Sequence, residues 1–154
     1  MNLVKAIYKA PVITKDYDES IGTTKVEIRY ENKIFRGWAA LSPEDEGFYS
    51  KKVGYNIALS KARITALEYY HKQEEKKYKQ RFIFLQEVLN FGKKELVEID
   101  PTSAFSRNIM HCKSRVAALE AAAAKEKEIL KKYIEGQNKA IESVRRFRQK
   151  ADNN

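Results

Sequence analysis

Hydrophobic and polar positions divide the chain into stretches with different rhythms. Residues 3–14 (LVKAIYKAPVIT) alternate well enough to predict a strand, which Pro11 places at an edge or ends. Residues 15–24 (KDYDESIGTT) are polar and contain Gly22, the pattern of a loop. From Lys25 to Tyr30 the side chains of Val26, Ile28 and Tyr30 fall on one face. Glu31-Asn32 supplies a turn, and Lys33 to Leu41 returns as a second strand. Trp38, the single tryptophan, lies in that strand and is expected in the core.

At Ser42-Pro43-Glu44-Asp45 the rhythm changes. A capping serine, a proline suited to the first helical position and carboxylates near the positive end of the dipole predict a short helical turn, closed by Gly47. Ser50 then caps a longer helix. Its apolar positions Ile57, Ile64, Leu67, His71, Tyr78, Leu85 and Val88 recur at close to 3.5 residues. No proline interrupts it, so one helix from Lys51 to Leu89, about 55–60 Å long at 1.5 Å per residue, is expected. Its middle, HKQEEKKYKQR, is too polar to bury more than one narrow side.

Asn90-Phe91-Gly92 is predicted to end that helix, residues 93–100 to form a linker, and Asp100-Pro101-Thr102-Ser103 to start the next. The second helix runs from Ala104 toward Lys150 on the spacing of Phe105, Ile109, Cys112, Val116, Leu119, Ala123, Leu130, Tyr133, Ala140, Val144 and Phe147. Alanines 121–124 permit close helix approach. Gly136, costing roughly 1 kcal/mol against alanine, is the position for a bend or a frayed end. The fold class is α+β, one domain over residues 1–154: a β-rich head (1–50) with a small antiparallel sheet, then long helices over 51–90 and 104–150. Seams headed by Ile57, Ile64, Leu67, Val116, Leu119 and Leu130 are too long for so small a head to cover. A homo-oligomer joined through the helices is therefore expected.

Composition narrows this picture without overturning it. No apolar run approaches the roughly 18–20 residues that span a bilayer, and Met1–Tyr8 lacks the pattern of a signal peptide. The lone Cys112 excludes an internal disulfide and a multi-cysteine zinc site. A cytoplasmic protein is expected, in the host cytoplasm if the chain is viral, with no membrane partner. The net charge of +9 is uneven: residues 1–50 balance to −1 and residues 51–154 to +10. The helices thus carry a field that draws phosphate-bearing or acidic partners, unless it is simply a lysine-rich, solvated helix surface.

Catalytic patterns are absent. The two histidines, His71 and His111, are 40 positions apart, and there is no HExxH, Walker loop, GxGxxG or GxSxG. The acidic trio Glu44, Asp45 and Glu46 reads as helix capping, and Cys112 as a buried apolar side chain. No catalytic residue, metal or cofactor is expected, and an enzyme is not. One cluster suits binding. Arg107, His111 and Arg115 are spaced i, i+4, i+8 and stack on one helix face, with Ser103, Ser106 and Asn108 around them. Such a ladder near a helix start fits a phosphate or pyrophosphate; a solvated basic stripe has the same spacing. Phe91 and Phe105 are candidate base-stacking groups, and Arg63 is a further ligand candidate on the first helix.

The segments Phe35-Arg36-Gly37-Trp38-Ala39-Ala40-Leu41-Ser42-Pro43-Glu44-Asp45-Glu46 and Val53-Gly54-Tyr55-Asn56-Ile57-Ala58-Leu59-Ser60-Lys61-Ala62-Arg63 resemble a family of phage and prophage proteins. That family shows a strand ending in G-x-A, a P-E-D turn, a glycine early in a helix and an alanine-arginine pair. With a small sheet followed by two long helices, the chain resembles the Thoeris anti-defence sponge proteins of phages. The resemblance implies a protein that sequesters a cyclic ADP-ribose-type nucleotide between protomers without cleaving it, arginines on the phosphates and aromatics on the base. The chain departs from that pattern in its polar first-helix middle and in its basic tail, Arg145-Arg146-Phe147-Arg148-Gln149-Lys150. Those features suit a rival reading: an inhibitor binding a host machine, such as RNA polymerase or a CRISPR nuclease, or nucleic acid itself.

Overall fold

The computed structural model describes residues 2–94 and 104–152. The chain opens with a short helix, α1 (Leu3–Tyr8), followed by strands β1 (Val12–Asp18), β2 (Thr23–Tyr30) and β3 (Lys33–Ala40). A 3-10 turn (Pro43–Phe48) leads into two long helices, α2 (Lys51–Lys94) and α3 (Ala104–Asp152). The expected α+β layout is therefore present: an antiparallel sheet in the order β1-β2-β3, then the helical pair.

The first segment differs from its expected form. Residues 3–8 are helical because the Asn2 side chain accepts the Val4 amide at 2.9 Å, an N-cap that an alternating pattern does not reveal. Leu3, Ala6 and Ile7 also satisfy i, i+3, i+4, and Ala6 and Ile7 are buried. The strand begins only after Pro11 and runs through Asp18, across residues expected to be loop. There Lys15, Asp16, Tyr17 and Asp18 pair with Val26, Lys25, Thr24 and Thr23. The β2–β3 hairpin falls as read, with Tyr30 paired to Lys33 and Glu31 at φ 53° in the two-residue turn.

One face of the sheet packs on α2. Val26, Ile28, Phe35 and Ala39 meet Ile57, Ala58, Ala62, Ala66, Leu67 and Tyr70 in a continuous buried cluster. The approach is closest at Gly37, where an added Cβ would lie 1.8 Å from the Ala58 carbonyl oxygen, and at Gly54, where it would lie 2.4 Å from Thr24 Oγ1. Gly37 and Gly54, with Ala58 and Ala62, thus let the sheet and α2 approach closely. Because Phe35, Gly37 and Ala39 face α2, their neighbours Ile34, Arg36 and Trp38 face away. Trp38 is consequently 55% exposed and not in the core.

Against the other side of α2 runs α3, antiparallel to it, contributing Leu119, Ala122 and Ala123 to the same cluster. Of the expected oligomer seam, Ile57, Leu67 and Leu119 are buried within the monomer and Ile64, Val116 and Leu130 are half-buried. Helix α2 does not stop at Asn90-Phe91-Gly92 but continues to Lys94. A glycine penalty of roughly 1 kcal/mol is too small to break a long helix. Gly136 likewise lies inside unbroken α3. The remainder of the expected linker and the helix start at Asp100–Ser103 lie outside the described residues.

Candidate functional site

Three carboxylates are buried among the described residues, and each is held differently. Glu27 accepts from Arg36 Nε at 2.6 Å and from Thr14 at 2.9 Å, with Lys25 Nζ 3.0 Å away. Arg36 foremost, then Lys25 and Thr14, hold its carboxyl down at about 2. Glu126, 1% exposed, accepts from the hydroxyls of Tyr8 at 2.8 Å and Ser60 at 2.6 Å, so it ties α1 and α2 to α3. Burial, reinforced by that carboxylate, pushes the Tyr8 phenol up to about 12. Glu74, 2% exposed, pairs through Oε1 with Lys77 at 2.9 Å, and its Oε2 lies 3.4 Å from Arg115 Nε. That second oxygen has no hydrogen-bond partner among the described residues.

Arg115 thus stands beside Glu74, next to a polar web at the β2–β3 turn. There the Tyr70 hydroxyl donates to Glu31 at 2.9 Å, and Tyr30 packs edge-on against Tyr70 at 5.3 Å. Burial and the Glu31 carboxylate raise both phenols. A cavity of about 450 Å3 opens on the other side of Arg115, between α1 and α3, with His111, Ser114 and Asn2 as its polar lining and Leu3, Val4, Ala118 and Leu119 as its apolar wall. This volume is within the range of about 300–1,000 Å3 usual for small-molecule sites.

The structure sorts the seven candidate ligand residues. His111 and Arg115 line the cavity together, as their i, i+4 spacing requires. Arg107 is exposed one turn further toward the start of α3. Asn108 is occupied, accepting from Arg81 Nη1 at 2.5 Å. Arg63 donates to the Tyr8 carbonyl at 3.5 Å and lies 5.2 Å from the Tyr8 ring centroid, bracing α1 from α2. Phe91, 65% exposed, is ten residues beyond Arg81 on α2, about 15 Å along the axis; it does not join the cavity. The Phe105 side chain lies outside the described residues.

The basic tail continues α3 and meets the head of the protein. Arg145 pairs with Asp45 of the 3-10 turn at 2.5 Å, Arg146 with Glu142, and Arg148 stacks 5.2 Å from the Phe48 ring centroid. Sequence reading missed Glu74 and Glu126, although a signal exists. Both sit where the seam spacing calls for an apolar residue: Leu67-His71-Glu74-Tyr78 and Leu119-Ala123-Glu126-Leu130. Among the described residues no three His, Cys, Asp or Glu side chains converge as a metal-binding group. Within the same residues no helix is long and apolar enough to cross a membrane. Comparison with protein-family models, curated proteins and solved structures finds no match.

Proposed function

We propose that the protein is a non-catalytic binder that sequesters a small phosphate-bearing ligand, of the cyclic ADP-ribose type that the phage-sponge resemblance implies. The observation that carries this reading is the cavity beneath α1, where His111, Ser114 and Arg115 of α3 stand beside the apolar Leu3, Val4, Ala118 and Leu119. An imidazole and a guanidinium one helical turn apart suit a phosphate, and the apolar wall suits a sugar or base. Arg107, a turn away and exposed, lies outside the cavity lining and adds only to the positive field around it. The tail arginines favour the nucleic-acid reading less than their sequence does, because each is engaged within the chain.

The test is calorimetry with cyclic ADP-ribose, followed by heat release and mass spectrometry. Uptake in proportion to protein and return of the intact nucleotide are expected. A cleaved product would overturn sequestration, and absent uptake would overturn the ligand class. Self-association belongs to the same reading. The seam is largely consumed inside the monomer, whereas Phe82, Ile83, Leu89 and Phe91 on the distal third of α2 and Met110 on α3 are exposed. That end of the helical pair is the surface for a second copy. Light scattering at micromolar concentration giving a mass near 17.9 kDa would overturn it.

A further inference from the structure

Strand β3 is an edge of the sheet. In a two-residue hairpin the residues flanking the turn, Tyr30 and Lys33, form a hydrogen-bonded pair, and such pairs alternate along the ladder. Lys33, Phe35, Gly37 and Ala39 therefore direct their backbone groups at β2. Ile34, Arg36 and Trp38 direct their N–H and C=O groups at the open edge, and no other described segment hydrogen-bonds to them. Leu41 fits the same alternation, its amide donating inward to Gly22 at 3.1 Å.

Along this edge runs an open groove of about 450 Å3 between β3 and the two long helices. Its rim carries Arg36 and the exposed Trp38, and its helical side carries Lys61, Lys127, Ile64 and Leu130. Lys127 is satisfied by Glu68 at 2.6 Å, and Arg36 by Glu27. Lys61 makes no ion pair among the described residues. A row of backbone donors and acceptors at strand spacing is matched by an extended polypeptide, which adds as a further strand. The charges decide which polypeptide. A second β3 docked antiparallel about Arg36 would bring the Lys61 side chains of the two copies toward each other and supply no counter-charge to either, and opposed like charges destabilise the pairing.

We infer that the β3 edge is a docking site for an extended, acidic segment of a partner protein, which pairs with the backbone of Ile34, Arg36 and Trp38. The side-chain period of two fixes the chemistry of that segment. Residues facing the helices meet Lys61, which has no ion pair among the described residues, and are acidic. Residues on the outer face lie beside Ile34 and Trp38 and are apolar or β-branched. This surface is separate from the cavity beneath α1 and does not depend on the ligand proposed there.

A random twelve-residue peptide display library selected on the full chain tests the inference, with Trp38, the only tryptophan, as the built-in fluorophore. Selected peptides should be net acidic with apolar residues at alternate positions. They should shift Trp38 emission and slow amide exchange at Ile34, Arg36 and Trp38. Ile34→Pro, which removes an edge donor and leaves the β2 ladder intact, and Lys61→Glu should each weaken binding at least tenfold while the far-ultraviolet circular dichroism is unchanged. Should Ile34→Pro fail to fold, the surface substitution Lys61→Glu decides alone. Failure to select peptides, selection of basic or neutral ones, or indifference to Lys61→Glu would overturn the proposal. Self-association abolished by Ile34→Pro would also overturn it, by assigning the edge to a second copy.

Discussion

Replacing Tyr8 with phenylalanine removes one hydroxyl from the point where α1, α2 and α3 meet. In the folded chain that hydroxyl donates to Glu126 at 2.8 Å, Ser60 donates to the other carboxylate oxygen at 2.6 Å, and no basic side chain among the described residues pairs with it. A hydrogen bond to a charged group contributes roughly 1.5–3 kcal/mol. Tyr8→Phe should therefore lower the melting temperature by roughly 3–12 °C at this chain length, and Ser60→Ala by a comparable amount. The triple substitution Tyr8→Phe, Ser60→Ala, Glu126→Leu, which removes charge and donors together, should be less destabilised than the summed single losses. Urea unfolding followed by circular dichroism reads each value. A pH arm checks the same bond. The Tyr8 phenol is raised to about 12, so its contribution is complete below the unfolded value of 10.0 and is lost as pH rises through about 12. The stability gap between wild type and Tyr8→Phe should shrink across that window. A Tyr8→Phe protein within about 0.5 kcal/mol of wild type, or a gap that stays constant from pH 9 to 12, would refute the reasoning.

Gly37→Ala should destabilise the chain by several kcal/mol or prevent folding, because its Cβ would collide with the α2 backbone, whereas Gly136→Ala, with nothing within 4 Å, should stabilise it by about 1 kcal/mol; thermal melts of both separate packing from propensity. Arg115→Ala should cost about 1–3 kcal/mol by leaving Glu74 Oε2 buried beside an apolar side chain, while Arg107→Ala should be nearly neutral. Calorimetry on the same pair should show Arg115→Ala losing nucleotide affinity by about 10- to 100-fold, the effect of one charge-assisted contact, and Arg107→Ala, outside the cavity lining, losing clearly less. Glu27, held at about 2 by Arg36, Lys25 and Thr14, contributes stability above pH 4.5 that is lost as pH falls toward 2. Glu27→Gln should flatten the acid limb of the stability profile in that window, as measured by urea unfolding at stepped pH.

The hairpin, the 3-10 turn and both long helices were legible because each is specified locally, by a two-residue turn, a proline after a serine, and an apolar repeat near 3.5. Of the first eighteen residues only residues 12–14 took their expected form. Asn2 capping α1 and the pairing of Lys15–Asp18 with β2 depend on a side-chain bond and on a neighbouring strand, and neither leaves a periodic trace. Trp38 was misplaced for a related reason. Composition says that a tryptophan is worth burying, but the register, set by Gly37 facing α2, sends position 38 outward. The ligand ladder was legible only as spacing. That His111 and Arg115 line one cavity follows from α3, but that Arg115 also answers Glu74 requires the partner helix. A carboxylate at a seam position was the available clue, and periodicity arguments treat it as noise.

The distribution of partners among the basic residues bears on how any anion is caught. Seven of the nine arginines are used inside the chain: Arg36 on Glu27, Arg63 on Tyr8, Arg81 on Asn108, Arg115 on Glu74, Arg145 on Asp45, Arg146 on Glu142 and Arg148 on Phe48. The other two, Arg29 and Arg107, make no such contact among the described residues. The positive field therefore comes mostly from lysines, which are strongly hydrated point charges without the planar fork that fixes a phosphate or carboxylate. Such a field attracts but does not select, and at physiological salt it is screened beyond about 8 Å. Selection must come from the few places where cations stand beside apolar surface: the cavity with His111 and Arg115, and the β3 groove with Lys61 and Trp38. Encounter and recognition are thereby divided between different side chains. Raising salt should slow association with either kind of partner and leave dissociation much less affected, since the contacts that hold a bound ligand are short and partly desolvated.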